Sequence, residues 1–201
     1  MTWTGTGTSI TTSATIREGM YTLVETLRGM ADAGTADWTA GTIVYWDDTQ
    51  MQKVLDRHRF EFVREAAAPV VTYDGQGNSV YKVYWLPYQN LESGTAVFEV
   101  ETADGATVST GYSVDYQAGK ITFTSNTAGT AYYITGRSYD INLAAADVWR
   151  IKASNASKQF DFSTDNHSIK RGNYVKNCLE MAQYYTAQAG IQVGEMERGD
   201  L

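Results

Sequence analysis

Between Asn142 and Gly190 the chain carries two stretches with helical apolar spacing, and these constrain the rest of the fold more than any other feature. In the second stretch Val175, Cys178, Ala182, Tyr185 and Ala189 recur at steps of three and four, which lines one face of an α-helix. Ser168 stands where it can cap that helix, and Gly190 where a left-handed residue can close it. In the first stretch, from Leu143 to about Lys158, Ala145, Val148, Trp149 and Ala156 form a similar stripe. Two amphipathic helices this close in sequence pack as a hairpin, and the outer edges of their stripes need cover from elsewhere in the chain.

The cover is expected upstream. Ile16, Met20, Leu23, Val24, Leu27 and Met30 predict a helix over 13–33, with Ser13 or Thr15 as its cap and Gly34 beyond its end. A second helix is predicted over 47–66. The acidic pair Asp47 and Asp48 stands at its positive end, Met51, Val54, Leu55, His58 and Phe62 share one stripe, and Pro69 stops it. Lys53, Asp56, Arg57, Arg59, Glu61, Arg64 and Glu65 then read as its solvated face. From 70 to 140 the pattern changes to short alternating runs of Val, Tyr, Thr and Phe, with hairpin turns at DGQGN, ADG and QAGK and a further turn at SNTAG. Pro87 marks an edge or a strand end.

The order helix, helix, strands, helix, helix predicts an α+β chain: an antiparallel bundle of about four helices with an inserted antiparallel β-region. The expected divisions are a flexible arm at 1–12, helices one and two at 13–68, the β-region at 69–141, helices three and four at 142–190, and a polar tail at 191–201.

Composition narrows the function. At 201 residues folding buries roughly 70% of the unfolded chain's surface, enough for a core without staples. A net charge of −7 leaves no broad basic face for phosphates, so direct DNA binding is not expected. The single cysteine, Cys178, excludes an internal disulfide and a cysteine-pair metal site, and its place on a stripe makes it a small buried hydrophobe. No run approaches the roughly 18 apolar residues of a membrane span, and MTWTGTGTSITTSAT lacks the charged flank and apolar core of a signal peptide, so a cytoplasmic site of synthesis is expected.

No constellation for catalysis, metal or cofactor is expected either. His58 lies among charges, and neither Asp47 nor Asp48 stands three or four residues from it; His167 falls in a polar turn. Asp161 and Asp165 flank a loop that lacks the bidentate Glu of a calcium site. Nucleophile elbow, HExxH and P-loop patterns are all missing. Fourteen Tyr and five Trp raise one alternative, a carbohydrate-binding module that stacks sugars on Tyr81, Tyr84, Trp85 and Tyr88. Strand packing or a subunit interface explains those aromatics better, which makes Trp85 a candidate intersubunit anchor. Trp3, alone in a Thr/Gly arm, is the other.

Four phrases resemble the head-to-tail connector, or adaptor, proteins of long-tailed bacteriophages and related gene transfer particles. WDDTQMQKVLDRHR resembles the start of that family's second helix, and GKITFTSNTAG its β insertion. AAADVW resembles the opening of its third helix, and KQFDFSTDNHSIKRGNYVKNCLEMAQYY the link and closing helix. Together they cover roughly 46–189. The resemblance implies a structural protein of the virion neck, assembled in the host cytoplasm, without catalytic residues or cofactor. It implies a ring of identical subunits, dodecameric on the portal protein, that presents a surface to the tail or stopper protein while DNA passes through without being read. It further implies that Ile191, Val193, Met196 and Leu201 of the tail are candidate portal contacts. An acidic chain suits a lumen that must not grip phosphate.

Overall fold

The computed structural model describes residues 16–34, 39–40, 43–44, 46–157, 162–164, 167–169 and 171–190. The chain enters its first helix, α1 (Tyr21–Met30), through Gly19, whose φ of +88° is a left-handed conformation. A Cβ built on Gly19 would overlap the carbonyl oxygen of Ser93, so glycine is required twice over. No side chain caps α1; the candidates Ser13 and Thr15 lie outside the described residues, and Met20 occupies the N-cap. At the far end the left-handed residue is Asp32, with φ +47°, and Gly34 lies beyond the helix as expected.

After a two-stranded ladder, β1 (Thr39–Ala40) with β2 (Ile43–Val44), the second helix α2 spans Asp48–Asp56. Asp47 caps it as expected, its carboxylate accepting from the Gln50 N–H. Arg28 ties the two helices together: it pairs with Asp48 at 2.5 Å and donates to the Trp46 carbonyl at 2.8 Å. Leu23, Val24 and Leu27 of α1 meet Met51, Val54 and Leu55 of α2 in one core with Ala144, Ala145 and Val148 of α3 (Ile141–Ser157). The small residues of α3 let that helix lie between α1 and α2 on one side and α4 (Arg171–Gln188) on the other. Trp149 donates to the Met30 carbonyl, and so does the Tyr185 hydroxyl, at 3.3 and 2.9 Å, which fixes the end of α1 against both later helices.

The remaining strands build two antiparallel sheets. One has the order β3 (Arg59–Ala66), β9 (Tyr132–Tyr139), β6 (Glu99–Thr102); the other has β4 (Ala68–Tyr73), β5 (Ser79–Trp85), β8 (Lys120–Phe123), β7 (Tyr112–Asp115). β3 and β4 are separated by Ala67 alone, so a nearly continuous strand changes sheets there, as strands do at the corners of packed sheets. Phe62, Tyr84, Phe98, Val100, Ile121 and Ile134 fill the core the sheets share. The predicted hairpins at DGQGN and QAGK join β4 to β5 and β7 to β8. At ADG the Thr102 N–H reaches Ala106 and the Glu101–Thr107 bridge closes a short return. The SNTAG turn instead carries the chain from one sheet to the other.

The expected helical bundle with an inserted β-region is therefore corrected. The chain is α+β, but two sheets of three and four strands dominate it. Part of the difference lies in one segment. The second helix ends at Asp56, and Arg59–Ala66, predicted as its continuation, is strand β3. Phe62 lies four residues from His58 but also two from Phe60, so the helical and extended readings share that position. The extended reading wins because Phe62 can bury its ring across Gly136 of β9, where any side chain would collide with it. Pro69 does not stop a helix; it sits in β4, an edge strand that tolerates the missing donor. Ser168 is not at the N-terminal boundary of α4: its backbone pairs with Ser163 in the ladder of β10 (Phe162–Thr164) and β11 (His167–Ile169), and the helix starts at Arg171. Gly190 follows α4 without adopting the left-handed conformation.

Candidate interaction surface

Two polar networks tie the elements together, the first joining the helices to the sheets and the second joining the turn after α2 to α3 and α4. In the first, Arg17 bridges Asp56 at 2.6 Å and Glu92 at 3.1 Å and donates to the Tyr139 hydroxyl at 2.9 Å, while Tyr139 donates in turn to Glu92. Glu92 is fully buried and Arg137 approaches it at 3.7 Å. One guanidinium, that of Arg17, thus joins the entry to α1, the end of α2, the loop before β6 and strand β9. The Arg17 guanidinium hydrogen-bonded to Asp56 holds its carboxyl below the usual carboxylate range. Burial pushes the Tyr139 phenol up, and its bond to Glu92 pushes the same way, so the group stays a donor.

In the second network His58 Nε2 lies 2.8 Å from Asp147, whose other oxygen accepts from Arg150 at 2.9 Å; Arg150 continues to the Thr186 hydroxyl of α4 at 2.8 Å. Burial opposes ionisation of Asp147, but the bonds from His58 and Arg150 outweigh it and hold the carboxyl below its usual range.

These two aspartates set the acid response. A carboxylate whose folded pKa is depressed stabilises the fold above its unfolded value, near 3.9, and that contribution disappears as pH falls through the folded value. Asp56 and Asp147 therefore leave stability unaffected between neutral pH and about pH 5, and remove it below about pH 4. Urea titrations across that range should show the fall, and Asp56→Asn with Asp147→Asn should make it shallower. An unchanged acid limb in the double variant would refute the assignment.

The candidate residues are distributed unevenly. Trp3, Ile191, Val193, Met196 and Leu201 lie outside the described residues, as do Asp161 and Asp165. His167 stands opposite Thr164 in the β10–β11 ladder and not in a turn. Trp85 is described and 42% exposed, with the Lys120 ammonium over its ring at 5.8 Å. A cation already occupies that face. Tyr84 is fully buried with its hydroxyl 2.6 Å from Thr127, and Tyr88 stacks on Phe62 at 4.7 Å. The aromatics weighed as a sugar platform thus do not make one exposed strip. Among the described residues no group of three or more His, Cys, Asp or Glu is placed to hold a metal, and no helix is long and apolar enough to cross a membrane.

Two dissimilar exposed surfaces lie on α4 and β4. The stripe predicted for α4 is its inner side, with Cys178 and Ala182 buried on α3. Off that stripe Tyr174, Leu179 and Tyr184 are each 46 to 55% exposed, spread around the helix by their five-residue spacing among Lys176, Glu180 and Gln183. Far away in the sequence, β4 is an uncharged edge strand, APVVTY, leading to a hairpin tip where Tyr73 is 69% exposed. An edge of that kind invites pairing with another chain. Sequence reasoning found the α4 stripe but did not single out the exposed apolar residues beside it: Tyr174 and Tyr184 fall off the stripe and read as ordinary exposed tyrosines.

Comparison with protein-family models, curated proteins and solved structures finds no match to the chain.

Proposed function

We propose that the chain is a structural subunit of a phage neck, a head-to-tail connector that forms a ring beneath the portal and links the filled capsid to the tail. The observation that supports this best is α4, an 18-residue helix of whose described side chains only Cys178 and Ala182 are buried, while Tyr174, Leu179 and Tyr184 stand exposed. A helix of that length with so little of itself buried is suited to a partner. The edge strand β4 with its exposed hairpin tip offers a second, different surface, and a ring of identical subunits needs two unlike surfaces on each. The net charge of −7 suits a passage for DNA that does not retain it.

Native mass spectrometry and electron microscopy of the chain mixed with the portal of the same particle are expected to show a stoichiometric ring complex. Truncation after Gly190 is expected to leave the circular-dichroism spectrum and melting temperature unchanged and to weaken portal binding about tenfold or more. Absence of any complex at micromolar concentration with the full chain would refute the connector reading. An unchanged binding curve after truncation would remove the tail from it.

A further inference from the structure

The four-stranded sheet ends in β7, and the free edge of that strand lies in a groove. The Gly111 and Asp115 carbonyls accept from Thr124 and Gly119 on the β8 side, so the alternation of an antiparallel ladder turns the N–H and C=O groups of Tyr112 and Val114 the other way. Tyr116 is next in that outward series, and its carbonyl accepts from the Leu91 N–H at 2.8 Å. Leu91 thus stands where a fifth strand of the sheet would begin. The chain then leaves, for the Glu92 N–H bonds the Arg137 carbonyl of β9. Among the described residues no strand pairs with Tyr112 or Val114 on that side.

Beside this edge the groove has a volume of about 440 Å³. Thr22 and Thr26 of α1 form its far wall, and Leu23 and Leu91, 5% and 2% exposed, form its floor. A free strand edge facing a helix across an apolar floor is a geometry that takes up an extended peptide by β-addition, with main-chain bonds holding it and the floor receiving alternate side chains. Of the residues that line the groove only Asp115 is charged, and its carboxylate already accepts from the Ala118 N–H. The segment that fits is extended and uncharged.

Residues 1–15, MTWTGTGTSITTSAT, have that chemistry. They carry no charged side chain, and β-branched Thr and Ile predominate over 8–15, a composition suited to a strand. They precede Ile16, which packs on the helical core, and Arg17, whose N–H bonds Gln52 and whose guanidinium pairs with Asp56, both on α2. The chain therefore arrives at α1 from the α2 side. Thr22 and Thr26 point away from that side, since Val24 and Leu27 occupy it. Segment and groove thus stand on opposite sides of α1, the arrangement a head-to-tail contact requires. Fifteen residues reach about 50 Å when extended, ample for a strand laid on a neighbour. We infer that residues 1–15 of one copy add a strand to β7 of the next, bonded to Tyr112 and Val114 and bedded on Leu23 and Leu91. This names a subunit contact of the connector reading and rests on it.

Cysteine pairing in the full-length chain, free and on the portal, tests the contact; the native Cys178 is buried and stays out of the exchange. A mixture of Thr8→Cys and Thr22→Cys chains is expected to give disulfide-linked dimer under mild oxidation, about tenfold above a mixture in which Gly75→Cys, on the open β4–β5 turn, replaces Thr22→Cys. A chain carrying both Thr8→Cys and Thr22→Cys is expected to give a ladder of linked oligomers; a linked monomer would assign the segment to its own groove and overturn the exchange between copies. Val114→Pro removes one outward N–H and no bond to β8, so it should lower the dimer yield about tenfold with the circular-dichroism spectrum unchanged. A synthetic peptide of residues 1–15 in excess should compete the dimer down by a similar factor, a result that does not depend on how the proline variant folds. Dimer no more abundant than in the control, or unmoved by the peptide or by a folded Val114→Pro, overturns the docking. Rings on the portal without these cross-links sink the contact and leave the connector reading standing; cross-links without portal binding do the reverse.

Discussion

Gly19→Ala is expected to destabilise the protein by about 3 kcal/mol or more, measured as a lower urea midpoint at unchanged slope. Two independent terms add. The left-handed φ of +88° is strained for any residue with a Cβ, and the new methyl would overlap the Ser93 carbonyl. Relief requires moving the loop at 90–94, and that loop holds Glu92 beneath Arg17. Gly172→Ala is the matched control: it lies in the first turn of α4 with open space around it, and alanine there should be neutral or stabilising by up to about 1 kcal/mol. Equal effects from the two substitutions would show that the Gly19 backbone is not held as described.

Arg17→Ala is expected to cost about 3 kcal/mol, the loss that follows removing one partner from a buried ion pair. Glu92 has no exposed surface, and after the substitution it would keep only the Tyr139 hydroxyl and the more distant Arg137. Asp56 loses the group that lowers its pKa, so the share of the acid-driven fall in stability that Asp56 contributes should shrink, as it does in Asp56→Asn. Because the network acts as a unit, Arg17→Ala combined with Glu92→Gln should cost less than the sum of the single changes. Strict additivity in urea unfolding would mean that Arg17 and Glu92 do not share a stabilising contact. Losses of this size matter against the 5 to 15 kcal/mol typical of a folded domain.

Much of the candidate surface was legible as elements and little of it as contacts. The α4 stripe of Val175, Cys178, Ala182, Tyr185 and Ala189 is the less exposed side of that helix, because a period of three and four survives whatever the helix packs on. Which apolar residues remain outside depends on how many neighbours arrive; α4 meets chiefly α3, and so Leu179 and Tyr184 stay open. Glu92 was invisible for a related reason. In the phrase NLESG it reads as loop, and its burial arises only when Arg17, some 75 residues away, closes over it. His58 was weighed against the aspartates of its own segment, whereas its partner is Asp147, 89 residues on.

By itself the sequence determined the local features. These are the capped start of α2 at Asp47, the two inner stripes of α3 and α4, and the hairpins at DGQGN and QAGK, each set by interactions spanning a few residues. Only the tertiary structure decided where α2 yields to β3, since Phe60 and Phe62 fit two periods until Gly136 offers one of them a place to bury. It also decided the balance of the architecture. Strand pairing joins residues far apart in the chain, such as Arg59 with Tyr139, and the ladder and shared core that result lower the energy of the extended reading in a way no local spacing records.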